Sequence, residues 1–228
     1  MFGPSSPHTV AGQRRILTGF PSTGCGENVT RGTQSSQPVV ERRKVFVTRD
    51  AIMYAFRMAT ITLITGGARS GKSTHALKLA APYQRKFFVA TGQALDDEMT
   101  ARIEFHRETR PSEFQTVEEP EQVGAALERI KDRADVVVLD CLTLWVSNLM
   151  QRHDRDEPIL AEADRLAEIL KLATFASIVV TDEVGWGIVP EHPMARRFRD
   201  LLGWTNQKIA SVADDVFLMV SGYPIKAK

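Results

Sequence analysis

Thr60-Ile-Thr-Leu-Ile-Thr-Gly66-Gly-Ala-Arg-Ser-Gly71-Lys72-Ser73 is an apolar, β-branched run that breaks into a glycine loop and then enters a helical pattern. Gly66, Gly71, Lys72 and Ser73 meet the spacing GxxxxGK[ST], and each residue type has a physical task. Glycines let the backbone curl until successive N–H groups point at phosphate oxygens. The lysine sets a positive charge on the β and γ phosphates, and the serine offers a hydroxyl to Mg²⁺. A glycine-rich turn with an exposed lysine is the plainer alternative. The strand pattern before the loop and the helical pattern after it favour phosphate binding.

The rest of the chain sets bounds on what surrounds that loop. It has 228 residues, 43% of them hydrophobic, with 29 basic against 28 acidic side chains. That is enough for one well-buried domain plus an extension, and a net charge of +1 argues against a nucleic-acid partner. Cys25 and Cys141 make no metal-binding spacing and point to a reducing compartment. No stretch reaches the roughly 20 apolar residues of a membrane span, and the N-terminus lacks a secretory apolar core. A cytoplasmic location without an integral membrane segment is expected.

Residues 1–57 differ in composition from the remainder of the chain. They are rich in Gly, Ser, Thr, Pro and Gln with basic clusters such as Glu41-Arg42-Arg43-Lys44, too little apolar material to offset the entropy of ordering. They read as a poorly structured extension, either translated upstream of a working start at Met58 or a basic targeting peptide. From residue 59, short β-rich apolar runs alternate with longer amphipathic stretches, the signature of βαβ units. The pattern predicts strands at 60–65, 86–91, 136–140, 177–182 and 215–221, and an edge strand at Tyr223-Pro-Ile-Lys. Helices are predicted at 72–81, 96–109, 120–132, 143–151, 158–173 and 193–212. Right-handed crossovers then cover both faces of a mostly parallel sheet, and the strand C-termini share one edge, where the chemistry is expected. The fold class is α/β: a P-loop NTPase-type three-layer sandwich with a mostly parallel central sheet and an antiparallel edge at the C-terminus.

Three further stretches carry chemistry. Val136-Val-Val-Leu-Asp140 ends a buried strand in a carboxylate, which beside a P-loop serves to hold Mg²⁺ opposite Ser73; alone it would read as a helix cap. Thr181-Asp182-Glu183 ends the next strand in the same way, and Asp182 or Glu183 either orients a substrate hydroxyl or caps and solvates the loop. In the third, Arg102, His106 and Arg110 fall at i, i+4 and i+8, one face of a helix at about 6 Å per step, if the last turn runs to Arg110. A solvated basic stripe, balanced by Asp97, Glu104 and Glu108, is the ordinary reading. The alternative is that a neutral imidazole between two arginines acts as nucleophile toward an anion they hold, since an ordinary imidazole is mostly unprotonated at cytosolic pH.

These residues together resemble the bifunctional adenosylcobinamide kinase / adenosylcobinamide-phosphate guanylyltransferase family of cobalamin synthesis. The likeness runs from about residue 60 to the C-terminus, through Thr65–Ser73, Leu95-Asp-Asp-Glu-Met99, His106, Arg110-Pro111, Leu139-Asp140-Cys-Leu-Thr143, Gly187-Ile-Val-Pro-Glu191, Asn206-Gln207 and Val220-Ser-Gly222. The resemblance implies that Thr65, Gly66, Gly67, Ala68, Arg69, Ser70, Gly71, Lys72 and Ser73 hold nucleotide phosphates, with Lys72 catalytic. It implies that Ala90, Thr91, Gly92, Arg107, Glu108, Thr109, Arg110, Glu118 and Asp140 complete the nucleotide site. Ser73 and Asp140 would hold Mg²⁺, and His106 would become covalently attached to GMP. ATP or GTP would phosphorylate adenosylcobinamide, and GMP from GTP would then pass to the resulting phosphate. A homotrimer is also implied.

The chain departs from the family's pattern at Asp182, where Asn is expected, and at Trp204-Thr205, and residues 1–57 have no counterpart in it. Two other classes stay open on the residues alone: a single-activity small-molecule kinase whose arginines and histidine only clamp phosphate, and a binding module operated by slow nucleotide hydrolysis. Composition predicts that a chain begun at Met58 keeps a cooperative melt and full turnover. A broad, non-cooperative melt of that shortened chain would show that the extension is part of the fold.

Overall fold

The computed structural model describes residues 59–108 and 110–228, so the extension expected at 1–57 lies outside the described residues. Elements alternate as the sequence pattern requires. Strand β1 (Ile61–Gly66) leads through the glycine loop into helix α1 (Lys72–Ala80), then β2 (Lys86–Ala90), α2 (Asp97–Glu108), β3 (Phe114–Glu118) and α3 (Val123–Ile130). Next come β4 (Val136–Asp140), α4 (Leu142–Arg152), α5 (Asp156–Leu172), β5 (Ala176–Val180), α6 (Pro193–Val212), β6 (Asp215–Val220) and β7 (Tyr223–Lys226). Among the described residues the strands form one seven-stranded sheet in the order β3-β2-β4-β5-β1-β6-β7. All neighbours are parallel except β6 and β7, the antiparallel edge.

The central strands are near-continuous apolar runs because both their faces are covered. Alternation along β4 sorts the two layers: Val136 and Val138 pack with Ile64, Phe88 and Ile178 beneath Ala76 and Ala80 of α1. Val137 and Leu139 pack on the other face with Leu63, Phe87 and Val179, against Leu127 of α3, Trp145 of α4, Leu166 of α5 and Leu201 of α6. Helix α6 starts where Pro193 stands in its first turn and the His192 ring accepts a hydrogen bond from Met194 N. Among the described residues, no helix is long and apolar enough to cross a membrane.

Strand β3 is the one element absent from the expected pattern, which leaves residues 111–119 as a connection. Of Phe114-Gln-Thr-Val-Glu118 only Phe114 is fully buried, standing edge-on to Phe88 with ring centres 6.3 Å apart. An edge strand with one face in solvent needs no apolar run, so periodicity gives little sign of it. The other boundaries move by a few residues; β5 ends at Val180, which leaves Thr181 and Asp182 just beyond the strand.

His75 gives this packing a pH dependence. It stands edge-on to Phe217 of β6 at 5.5 Å, its Nε2 has no partner, and burial, followed by the charge of Lys78, lowers its pKa. A depressed histidine is neutral in the fold and takes its proton more readily when unfolded. Its contribution is therefore complete above about pH 6.5 and is lost as pH falls toward the folded value. His75→Phe keeps the ring contact and is expected to remove that part of the acid-side loss of thermal stability. Identical slopes of melting temperature against pH between 7 and 5 for the two proteins would contradict this.

Candidate active site

The loop after β1 takes a shape that only glycine tolerates at two points. Gly66 has φ 147° and a Cβ there would lie 2.7 Å from the carbonyl oxygen of Met219, while Gly71 has φ 96° and faces Gly222 Cα, 3.3 Å from where its Cβ would be. Gly222 N donates to Ser70 O at 2.9 Å, so the β6–β7 turn buttresses the loop from behind. Lys72, 9% exposed, donates from Nζ to Gly67 O at 2.6 Å and pairs with Asp182 Oδ1 at 2.6 Å. Ser70 Oγ is buried with no partner.

Strand register brings the acidic groups to the same edge. Glu118 pairs with Ala90, Ala90 with Asp140, and Asp140 with Val180, so the ends of β3, β2, β4 and β5 lie level. Asp140 is half-buried at the end of β4, and the desolvation of its carboxyl raises its pKa; Ser73 and then the charge of His106 work the other way, and Asp182 adds to the rise. The Ser73–Asp140 contact joins the first helical residues after the loop to the β4 terminus, two strands away. Among the described residues no three His, Cys, Asp or Glu side chains cluster as a metal cage. A hydroxyl beside one carboxylate suits an ion such as Mg²⁺, which keeps most of its water and takes other oxygens from phosphates. Cys141 comes directly after Asp140; burial pushes its thiol up to about 12, so it remains un-ionised.

Helix α2 contributes from above. It starts with Asp96, whose carboxylate accepts from Met99 N at 2.7 Å, and ends at Glu108. Arg110 therefore does not continue a helical face from His106, contrary to the expected i, i+4, i+8 stripe, because the residue before Pro111 is pushed out of the helical region. Arg110 instead turns toward the sheet: its guanidinium lies 3.7 Å from the centre of the Phe88 ring and Nη1 donates to Thr116 Oγ1 at 2.6 Å. Burial holds its pKa below the ordinary value, with Asp140 acting against that. Arg107 pairs with Glu118. His106 stands on the exposed side of α2, and it, Arg107 and Arg110 line a cavity of about 730 Å³ that also takes in Lys72, Ser73 and Asp140.

Residues 62–227 match the family described as cobinamide kinase / cobinamide phosphate guanyltransferase. The chain belongs to this family. The bifunctional adenosylcobalamin biosynthesis protein CobU of Escherichia coli is 41% identical, the match covering 73% of this chain and 98% of the relative. The CobP protein of Pseudomonas aeruginosa with the same description is 40% identical, with 73% and 96% covered. Among solved structures, the RadB recombinase superposes with a TM-score of 0.45 at 17% identity, covering 71% of this chain and 74% of that one.

Within this CobU-family site, Ala68 to Ser73, Ala90, Gly92, His106, Arg107, Arg110, Glu118 and Asp140 all line the cavity. Thr65 and Gly66 end β1 and Gly67 follows it, none of them among the lining residues, and Gly67 presents its carbonyl to Lys72. Thr109 and the Arg102 side chain lie outside the described residues, and Glu108 is exposed at the helix end. Thr91 is wholly buried and serves its neighbours: Oγ1 donates to Cys141 O at 2.7 Å and accepts from Cys141 N at 2.8 Å, while Asn148 Nδ2 donates to Thr91 O. Sequence reasoning passed over Phe88 beneath Arg110, Asn206, which joins Thr181 to the Asp182 carbonyl, and the support from Gly222. Phe88 reads simply as core, Asn206 appears only within the family match, and Gly222 reads as the turn before the edge strand, with no sign that it supports the loop.

The Thr91 hydroxyl fixes the backbone directly after Asp140. Thr91→Val keeps the volume but leaves the buried Cys141 N–H without a partner and takes one of two donors from its carbonyl, which keeps Trp145 N at 3.2 Å, and is expected to cost about 1–3 kcal/mol in urea unfolding. An unchanged unfolding midpoint would mean that Cys141 is held by something else.

Proposed function

We propose that this chain phosphorylates adenosylcobinamide with ATP or GTP and then transfers GMP from GTP to adenosylcobinamide phosphate, releasing pyrophosphate. The observation that carries the reading is that one cavity is lined both by a phosphate-binding loop and by a histidine that such a loop does not require. In the kinase step the arm hydroxyl attacks the γ-phosphorus, the bond from the γ-phosphorus to the bridging oxygen breaks, and the hydroxyl proton leaves to solvent. Lys72 offsets charge on the transferring group, and the loop N–H groups hold the phosphates in line. When bound between Ser73 and Asp140, Mg²⁺ would draw charge from the phosphate oxygens.

In the second step an imidazole nitrogen of His106 attacks the α-phosphorus of GTP. A P–N bond forms, the α–β bond breaks and pyrophosphate departs. An oxygen of adenosylcobinamide phosphate then displaces the histidine, leaving the diphosphate product. Arg110, fixed against Phe88, offsets charge where two anions meet, with Arg107 and Glu118 beside it. The exposed apolar loop after β5, with Trp186 71%, Ile188 96% and Val189 61% exposed, supports self-association, for which we propose the trimer. We also place the protein in the cytoplasm.

GTP labelled at α or γ separates the two steps. Lys72→Ala is expected to lower γ-phosphoryl transfer on the order of 10²–10³-fold with an unchanged circular dichroism spectrum. His106→Ala is expected to keep γ-transfer while losing the protein-bound α-label, and the wild-type adduct should be acid-labile and base-stable. If His106→Ala still forms the adduct, the histidine is not the nucleophile. If wild type forms none, the chain is a simple kinase.

A further inference from the structure

We propose that Asp182 makes this nucleotide site select a cation-complexed triphosphate over the free anion. The inference rests on the reading of the loop as a nucleotide site. What prompts it is the ion pair: the lysine of a phosphate-binding loop is usually expected to face phosphate, yet here Nζ meets a carboxylate at 2.6 Å with both groups largely shielded, 9% and 25% exposed.

Three contacts fix that carboxylate in place. Asp182 N donates to Thr143 Oγ1 at 2.8 Å, its carbonyl accepts from Asn206 Nδ2 at 3.1 Å, and Asn206 Oδ1 accepts from Thr181 Oγ1 at 2.7 Å. The next residue is tied to the loop itself, Glu183 N donating to Gly66 O at 3.1 Å. None of these bonds uses the Asp182 carboxylate, which is left to face the loop. It cannot withdraw far when phosphates arrive, because its backbone is anchored on both sides. It also acts on Asp140, whose pKa it helps to raise.

Lys72 thus stands as one ammonium beside the carboxylates of Asp182 and Asp140, while Arg69, Arg107 and Arg110 also line the cavity. A free triphosphate brings about four negative charges there and its magnesium complex about two, so a fixed carboxylate repels the first much more than the second. A neutral residue at the same place would leave Lys72 to attract both forms. Asp182 is in this sense a specificity residue: it sets which ionic form of the nucleotide the loop retains and leaves the reacting atoms to others.

The test is GTP binding by calorimetry to the full chain, with excess MgCl₂ and with EDTA, for wild type, Asp182→Asn and Asp182→Ala. Asp182→Asn keeps an acceptor oxygen for Lys72 and should melt near wild type, whereas Asp182→Ala leaves the 9%-exposed ammonium with Gly67 O alone and should melt lower, so Asp182→Asn carries the comparison. The ratio of the two dissociation constants, EDTA over magnesium, is expected to fall at least about threefold in the variants, because free GTP binds about tenfold tighter while the magnesium complex changes less than about threefold. The fall should shrink as NaCl is raised. An unchanged ratio overturns the inference while leaving the nucleotide site in place. Equal tightening of both forms also overturns it, since Asp182 would then merely compete for Lys72. Absence of GTP binding to the wild type under either condition overturns the site reading as well.

Discussion

An ammonium that is 9% exposed needs acceptors, and the site is arranged around supplying them to Lys72. One is Gly67 O, which points back at the lysine only because the loop curls at Gly66 and Gly71. The other is Asp182, which comes within reach only because β5 lies directly beside β1, with Ile64 opposite Val180. Strand order is thus a condition for neutralising the loop lysine. A chain with the same loop but another neighbour to β1 would bury an unpaired charge, which costs several kcal/mol.

The same sheet spaces the remaining groups. Asp140 belongs to β4, with β5 between it and the loop strand, and it lines the same cavity as Ser73 at the sheet's C-terminal edge. Level strand ends make the edge a row in which Glu118, Ala90 and Asp140 stand side by side. Outside that row, α2 buries little of itself, with Phe105 62% and Leu95 65% exposed nearby. What α2 contributes is lining: Met99, Ile103, Phe105, His106 and Arg107 share one cavity with the loop residues Ala68 to Ser73.

The N–H and C=O groups behind the site are satisfied by polar side chains that lie inside the fold. Thr91 serves Cys141 twice, Asn148 bridges Thr91 and Pro120, and Asn206 joins Thr181 to Asp182. Each bond holds the turn beyond a strand terminus, where the sheet's own hydrogen bonds end. Such buried networks cost little when complete and fix one geometry.

The amino-acid sequence by itself determined the phosphate-binding loop, the alternation of strands and helices, and the carboxylates at the ends of β4 and β5. Those features are local: glycine spacing, apolar runs of strand length and the residue that ends each run are read within a few positions. The family likeness added His106, whose i, i+4, i+8 setting was by itself ambiguous. Tertiary structure alone decided that Arg110 leaves the helix to lie on Phe88, that β3 joins the edge, that Thr91 turns inward and that Asp182 closes on Lys72. Each of these depends on which strands are neighbours and in what register. Those are relations between residues far apart in the chain, such as Lys72 and Asp182 or Thr91 and Cys141, that no short window of sequence contains.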